Sequence, residues 1–188
     1  MNELIINNRF YAPYYIFIRC NKSQIDSIFE RLELNKWTKL KQINSDKDIA
    51  LTHKLFYSIW ENGWLQIFDD WAYSLWYDSD FKSLLTELCK EFEIYYCSVG
   101  DIDSSYEFSY YKHGELSREY ILDDSISGKE FIEKSYGQQL PFEDELNLIN
   151  DEHDKILFIA SKLGINVSNN INLINSYYLK DRDLETLF

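Results

Sequence analysis

Carboxylates stand close together at three points of the chain: Asp69-Asp70, Asp101-Ile102-Asp103 and Asp123-Asp124. Each group follows a segment rich in β-branched and aromatic residues, so each lies where a strand leaves a sheet. Two such groups brought together could hold Mg²⁺ or Ca²⁺, since hard cations want several oxygens at about 2–2.6 Å. A D-x-D at a strand end also occurs in phosphoryl- and glycosyl-transfer sites. Asp101 and Asp103 therefore define one reading, a metal-dependent enzyme or a sugar- or nucleotide-handling domain. The alternative is structural: Asp and Ser in these places accept backbone hydrogen bonds that shape turns. We adopt the structural reading and assign no metal ligand, no cofactor and no catalytic residue.

The other reactive side chains point the same way. His53, His113 and His153 lack the paired spacing of a zinc site. Cys20, Cys89 and Cys97 sit among apolar neighbours without tight spacing, which suits reduced, buried thiols better than nucleophiles. With 6 glycines in the chain, a phosphate-cradling loop is not expected.

A second chemistry is recognition. Trp60, Trp64, Trp71, Tyr73, Trp76 and Tyr77 crowd into one span with Glu61, Asp69, Asp70, Asp78 and Asp80. Rings take cations over their faces and carboxylates pair with guanidinium, so the mixture suits an Arg- or Lys-rich surface. The competing role for the rings is core packing. Tyr106, Phe108 and Tyr110 share one face of their strand by alternation, while Glu107, Ser109 and Tyr111 share the other. The second face is expected to display Glu107 and Tyr111, with Arg118 or Glu119 beside them. The candidate partner-binding residues are thus Glu61, Trp64, Asp69, Asp70, Trp71, Asp101, Asp103, Glu107 and Tyr111.

The formal charge of −13 argues against a nucleic-acid ligand, because neutralising phosphates requires Lys and Arg. It is compatible with a basic protein partner, whose docking opposite charge would steer. No apolar run approaches the ~20 residues needed to cross a bilayer, and the N-terminal apolar burst is interrupted by Asn7, Asn8, Arg9 and Pro13. A cytoplasmic protein is expected.

The elements that must position these residues read as follows. Tyr14 to Cys20 is a strand, Gln24 to Leu34 a helix, and Trp37 to Ile43 a short alternating strand. Leu55 to Trp60 and Trp64 to Phe68 flank Asn62-Gly63, which predicts a hairpin because both residues tolerate positive φ. Phe81 to Phe92 is a helix, capped by Ser79 or Asp80. Glu93 to Asp124 gives three antiparallel strands, with a turn at His113-Gly114. Ser127 to Tyr136 predicts a short helix, and Glu143 to Leu163 one helix or two. The sum is an α+β fold: a mainly antiparallel sheet of five to seven strands, with helices chiefly on one face. Residues 1–165 form the domain, and 166–188 a tail that is loosely attached or orders only against the domain or a partner.

The run GDIDSSYEFSYYKHGELSRE (Gly100 to Glu119), preceded by WENGWLQIFDDW (Trp60 to Trp71), resembles the small acidic immunity proteins encoded beside secreted toxins in bacterial polymorphic-toxin loci. That resemblance implies a non-catalytic cytoplasmic inhibitor that binds a cognate toxin domain and occludes its active site. It carries no functional residue across by motif. The alternatives are the Asp101/Asp103 enzyme above and a scaffold or homodimer that uses the exposed sheet edge or the tail.

Overall fold

The computed structural model describes residues 13–40, 53–70, 75, 78–100, 104–123, 132–167 and 175–180. They build an α+β fold around one sheet. Its strands are β1 (Pro13–Arg19), β2 (Thr38–Leu40), β3 (His53–Glu61), β4 (Trp64–Asp70), β5 (Ile94–Val99), β6 (Tyr106–Lys112), β7 (Glu115–Asp123), β8 (Ile132–Gly137) and β9 (Asn175–Lys180). The order across the sheet is β2-β9-β3-β4-β1-β5-β6-β7-β8, and every described pairing is antiparallel. Among the described residues three α-helices accompany it: α1 (Ile25–Arg31), α2 (Ser79–Leu88) and α3 (Glu152–Lys162).

Both expected tight turns are present, for the expected reason. Asn62 and Gly63 have φ of 51° and 85°, and His113 and Gly114 have 56° and 80°. Two successive left-handed residues match the twist of the strands they join. The helix after Asp78 starts at Ser79, two residues earlier than the sequence suggested, and is capped by Asp78 in place of Ser79 or Asp80. The Asp78 side chain accepts from the backbone N–H of Asp80 and Phe81, which satisfies two of the helix's open donors.

Strand alternation divides the apolar residues into two cores. On one face, Tyr14, Ile16 and Ile18 of β1, with Phe56, Leu65, Ile67 and Ile94, meet Ile28 and Phe29 of α1 and Phe81, Leu85 and Leu88 of α2. On the other face, Tyr15, Phe17, Phe68, Tyr95, Phe108 and Tyr110 meet Ile156, Ile159 and Ala160 of α3. The helices therefore lie on both faces, α1 and α2 on one and α3 on the other. β1 is central and apolar on both sides, so each side needs its own cover.

Among the described residues the sheet has nine strands, wider than the five to seven expected, and two strands account for the difference. Ile132–Gly137 is β8, where the sequence suggested a helix. Its polar residues on both faces conceal the period of two, and pairing with β7 overrides local helix preference. The segment 166–188 is ordered against the domain in part: β9 lies between β2 and β3, paired with both.

Candidate functional site

The strand register gathers the polar residues into a line. Phe56, Asp69, Tyr14, Ser98, Glu107, Ile121 and Lys134 are successive cross-strand partners from β3 to β8. The next row on the same face runs Tyr96, Ser109, Glu119 and Tyr136. At Phe56 and Asp69 the line is buried. Towards β7 it opens: Glu107, Glu119, Ile121 and Asp123 are half-buried, and Lys134 and Tyr136 are exposed.

Glu107 is a strongly perturbed acid on this face. Burial is the main cause, aided by the charges of Glu119 and Asp123, and together they raise its carboxyl from 4.5 to about 7. Two neighbours act against the rise. Ser98 Oγ donates to Glu107 Oε1 at 2.9 Å, and the Lys82 ammonium on α2 favours the charged form. Burial in turn lowers the pKa of Lys82. Beside this group, Ser109 Oγ donates to Glu119 Oε1 at 3.2 Å, and the rings of Tyr96 and Tyr111 stack 6.1 Å apart. The arrangement is three carboxylates with a thin supply of positive charge, bordered by aromatic rings. It can take up a proton or a cation, and the Ser98 hydroxyl is the group hydrogen-bonded to the Glu107 carboxylate.

A pH dependence follows. Between 4.5 and about 7 the folded protein holds a proton on Glu107 that the unfolded chain has released. This contribution to stability is therefore complete below pH 4.5 and is lost as pH rises through 7, by roughly 1–3 kcal/mol. Glu107→Gln should remove that slope, so that it is more stable than the parent at pH 8 and close to it at pH 4.5. Urea unfolding at the two pH values measures this; an unchanged slope in the variant would mean that Glu107 is ordinary.

The expected partner-binding residues divide between this face and other places. Glu107 and Tyr111 lie on it, as alternation implied. Of the two expected neighbours Glu119 joins them, whereas Arg118 faces the other core and is 1 % exposed. Two members of the set are corrected by burial. Trp64 is 3 % exposed and packs in the α3-side core, because the β3–β4 hairpin turns its ring inward opposite Glu61. Asp69 is 1 % exposed, and its Oδ2 accepts from the backbone N–H of Leu75, the turn-shaping role weighed for these acids. Glu61 is half-buried at the other end of the sheet from Asp69. Asp70 is the last residue of β4, opposite Pro13. Trp71, Asp101 and Asp103 lie outside the described residues, and so does the enzyme reading built on Asp101 and Asp103.

Sequence reasoning gave less weight to Asp123 and missed Ser98 and Lys82. The period of two along Glu119, Ile121 and Asp123 was available as a signal. Lys82 had none, since its place beside Glu107 depends on how α2 crosses the sheet.

The remaining reactive groups are held inside. All three cysteines are free and buried, and burial raises each thiol, that of Cys89 to about 12. Such thiols are poor nucleophiles at neutral pH. Among the described residues, Asp151, His153 and Asp154 form a group with ligand atoms within 4.8 Å of one another. Asp151 caps α3 through the N–H of Asp154, and the His153 Nε2 shares a 2.8 Å hydrogen bond with the Tyr15 hydroxyl. Both have structural employment. No helix among the described residues is long and apolar enough to cross a membrane.

No family model matches the chain, and neither a curated protein nor a solved structure matches it.

Proposed function

We propose that this is a non-catalytic binding protein of the immunity type, which takes a basic toxin domain on the sheet face around Glu107, Glu119 and Asp123. The observation that carries the reading is the shortage of positive charge there. A carboxyl raised to about 7 beside two further carboxylates is relieved by an arriving Arg or Lys, which restores its ordinary acidity. Tyr111 and the exposed Tyr136 border the acids, and their rings accept the same cations. The net charge of −13 gives long-range attraction to such a partner, and the resemblance to immunity proteins names a class in which it is used.

The test is association with basic toxin domains encoded beside the protein, in stopped flow at low and physiological salt. The double reversal Glu119→Lys/Asp123→Lys should slow association at least about tenfold at low salt and flatten its salt dependence. Both side chains are half-buried, so circular dichroism and a thermal melt of the variant verify that it folds as the parent does. Equal rates for parent and variant would remove this face from the reading.

A further inference from the structure

We infer that β8 is the docking edge of this surface: an extended basic segment of the partner adds beside it as a further strand. The inference rests on the basic-partner reading above and supplies the mode of contact.

β8 is the terminal strand of the described sheet, so alternate N–H and C=O groups along its outer side have no described strand to bond. The opposite end is β2, with three residues, too short for the same use. All six residues of β8 are exposed. Two of the three exposed large hydrophobics among the described residues, Ile132 and Tyr136, stand on it. Natural edges are commonly blunted by charged side chains, lysine above all, by proline or by a bulge, and of these β8 carries the charges Glu133 and Lys134. β8 has no proline, and its pairing with β7 runs without a register shift.

The inner side of β8 is fixed. Arg118 Nη1 donates to Ser135 Oγ at 2.7 Å and to the Tyr136 carbonyl at 2.9 Å, and the Tyr120 hydroxyl donates to Glu133 at 3.0 Å. A strand held this way is already shaped for pairing, and little ordering cost remains for the partner to offset.

Charge selects the occupant. Glu107, Glu119 and Asp123 lie on the face that Ile132, Lys134 and Tyr136 share. Glu133 adds a further carboxylate on the strand itself. Acids thus outnumber the two lysines, Lys82 and Lys134. An Arg opposite Tyr136 would have a ring beneath it and the Glu119 carboxylate one strand further in. A second copy fits poorly. Two-fold pairing centred on Glu133 or Lys134 sets like charges opposite each other, and each copy brings a charge of −13.

The probe is a capped peptide of alternating arginine and valine, with a counterpart N-methylated at every residue, which keeps the charge and cannot donate backbone hydrogen bonds. Amide hydrogen exchange of the full chain is followed by NMR at about pH 7. The expected result is at least about tenfold slower exchange along β8 with the parent peptide, and none of this slowing with the methylated one. Equal binding of both peptides, with shifts on Glu107 and Glu119 and no protection of β8, would overturn the strand-addition inference and leave the basic-partner reading standing. Binding of neither up to about 1 mM, a limit of weak contact, would overturn both. Protection of β8 that grows with protein concentration alone would assign the edge to a second copy and overturn the inference too.

Discussion

Arg118→Met is expected to lower the unfolding free energy by about 3–5 kcal/mol, the usual consequence of leaving a buried charge without its partner. The Arg118 side chain is 1 % exposed and that of Glu143 is 7 %. Nε and Nη2 of the arginine donate to the two carboxylate oxygens, each at 2.7 Å. Its Nη1 reaches the Glu119 carbonyl, Ser135 and Tyr136, and Glu143 also accepts from the Leu140 N–H at 2.8 Å. The pair thus ties β7, β8 and the 3₁₀ turn Glu143–Leu148 together with nearly every donor and acceptor used. Methionine fills much of the space but leaves the buried carboxylate without its counter-charge, held by the Leu140 N–H. Arg118→Met/Glu143→Leu should recover part of the loss, since an apolar pair removes the stranded charge. Urea midpoints of the three proteins decide it. A single variant within about 1 kcal/mol of the parent, or a double variant less stable than the single, would contradict this account.

Gly137→Ala is expected to cost about 2–4 kcal/mol, by two independent routes. The residue has φ of 80°, which a side chain resists. A Cβ there would also stand 2.2 Å from the Ser117 carbonyl oxygen and 3.3 Å from the Arg118 Cα, and backbone atoms cannot swing aside as a flexible side chain can. Gly63 offers the control. Its φ is similar, at 85°, but an added Cβ meets nothing within 4 Å, so Gly63→Ala should show the conformational cost alone, about 1–2 kcal/mol. Thermal melts of the two variants separate the routes. Equal losses would mean that the close approach to β7 carries no energy of its own.

The parts of this fold that could be read from the chain are those with local causes. Asn62-Gly63 and His113-Gly114 announced their turns because few residue pairs accept two positive φ angles. β1 was legible in a dense run of aromatic and β-branched residues, and α3 in Ile156, Ile159 and Ala160 at helical spacing. β8 and β9 were not legible, because IEKSYG and NSYYLK become strands only through the neighbours they pair with. The site divides in the same way. Alternation placed Glu107, Ser109 and Tyr111 on one face, but it could not say that Trp64 would turn inward or that Asp69 would hold the Leu75 amide. Those outcomes depend on which face each helix covers, and that choice is made in three dimensions.

The place of β9 bears on how the chain is made. β3 ends at Glu61 and β9 begins at Asn175, yet the two lie side by side. At translation rates of about 10 residues per second, a ribosome needs on the order of ten seconds to deliver the second after the first. Throughout that interval the nascent polypeptide carries β3 with one flank unmatched, and β2 has nothing to join. A hold on the emerging chain, by a chaperone or by the translation machinery itself, would guard that flank until the last strand slots in.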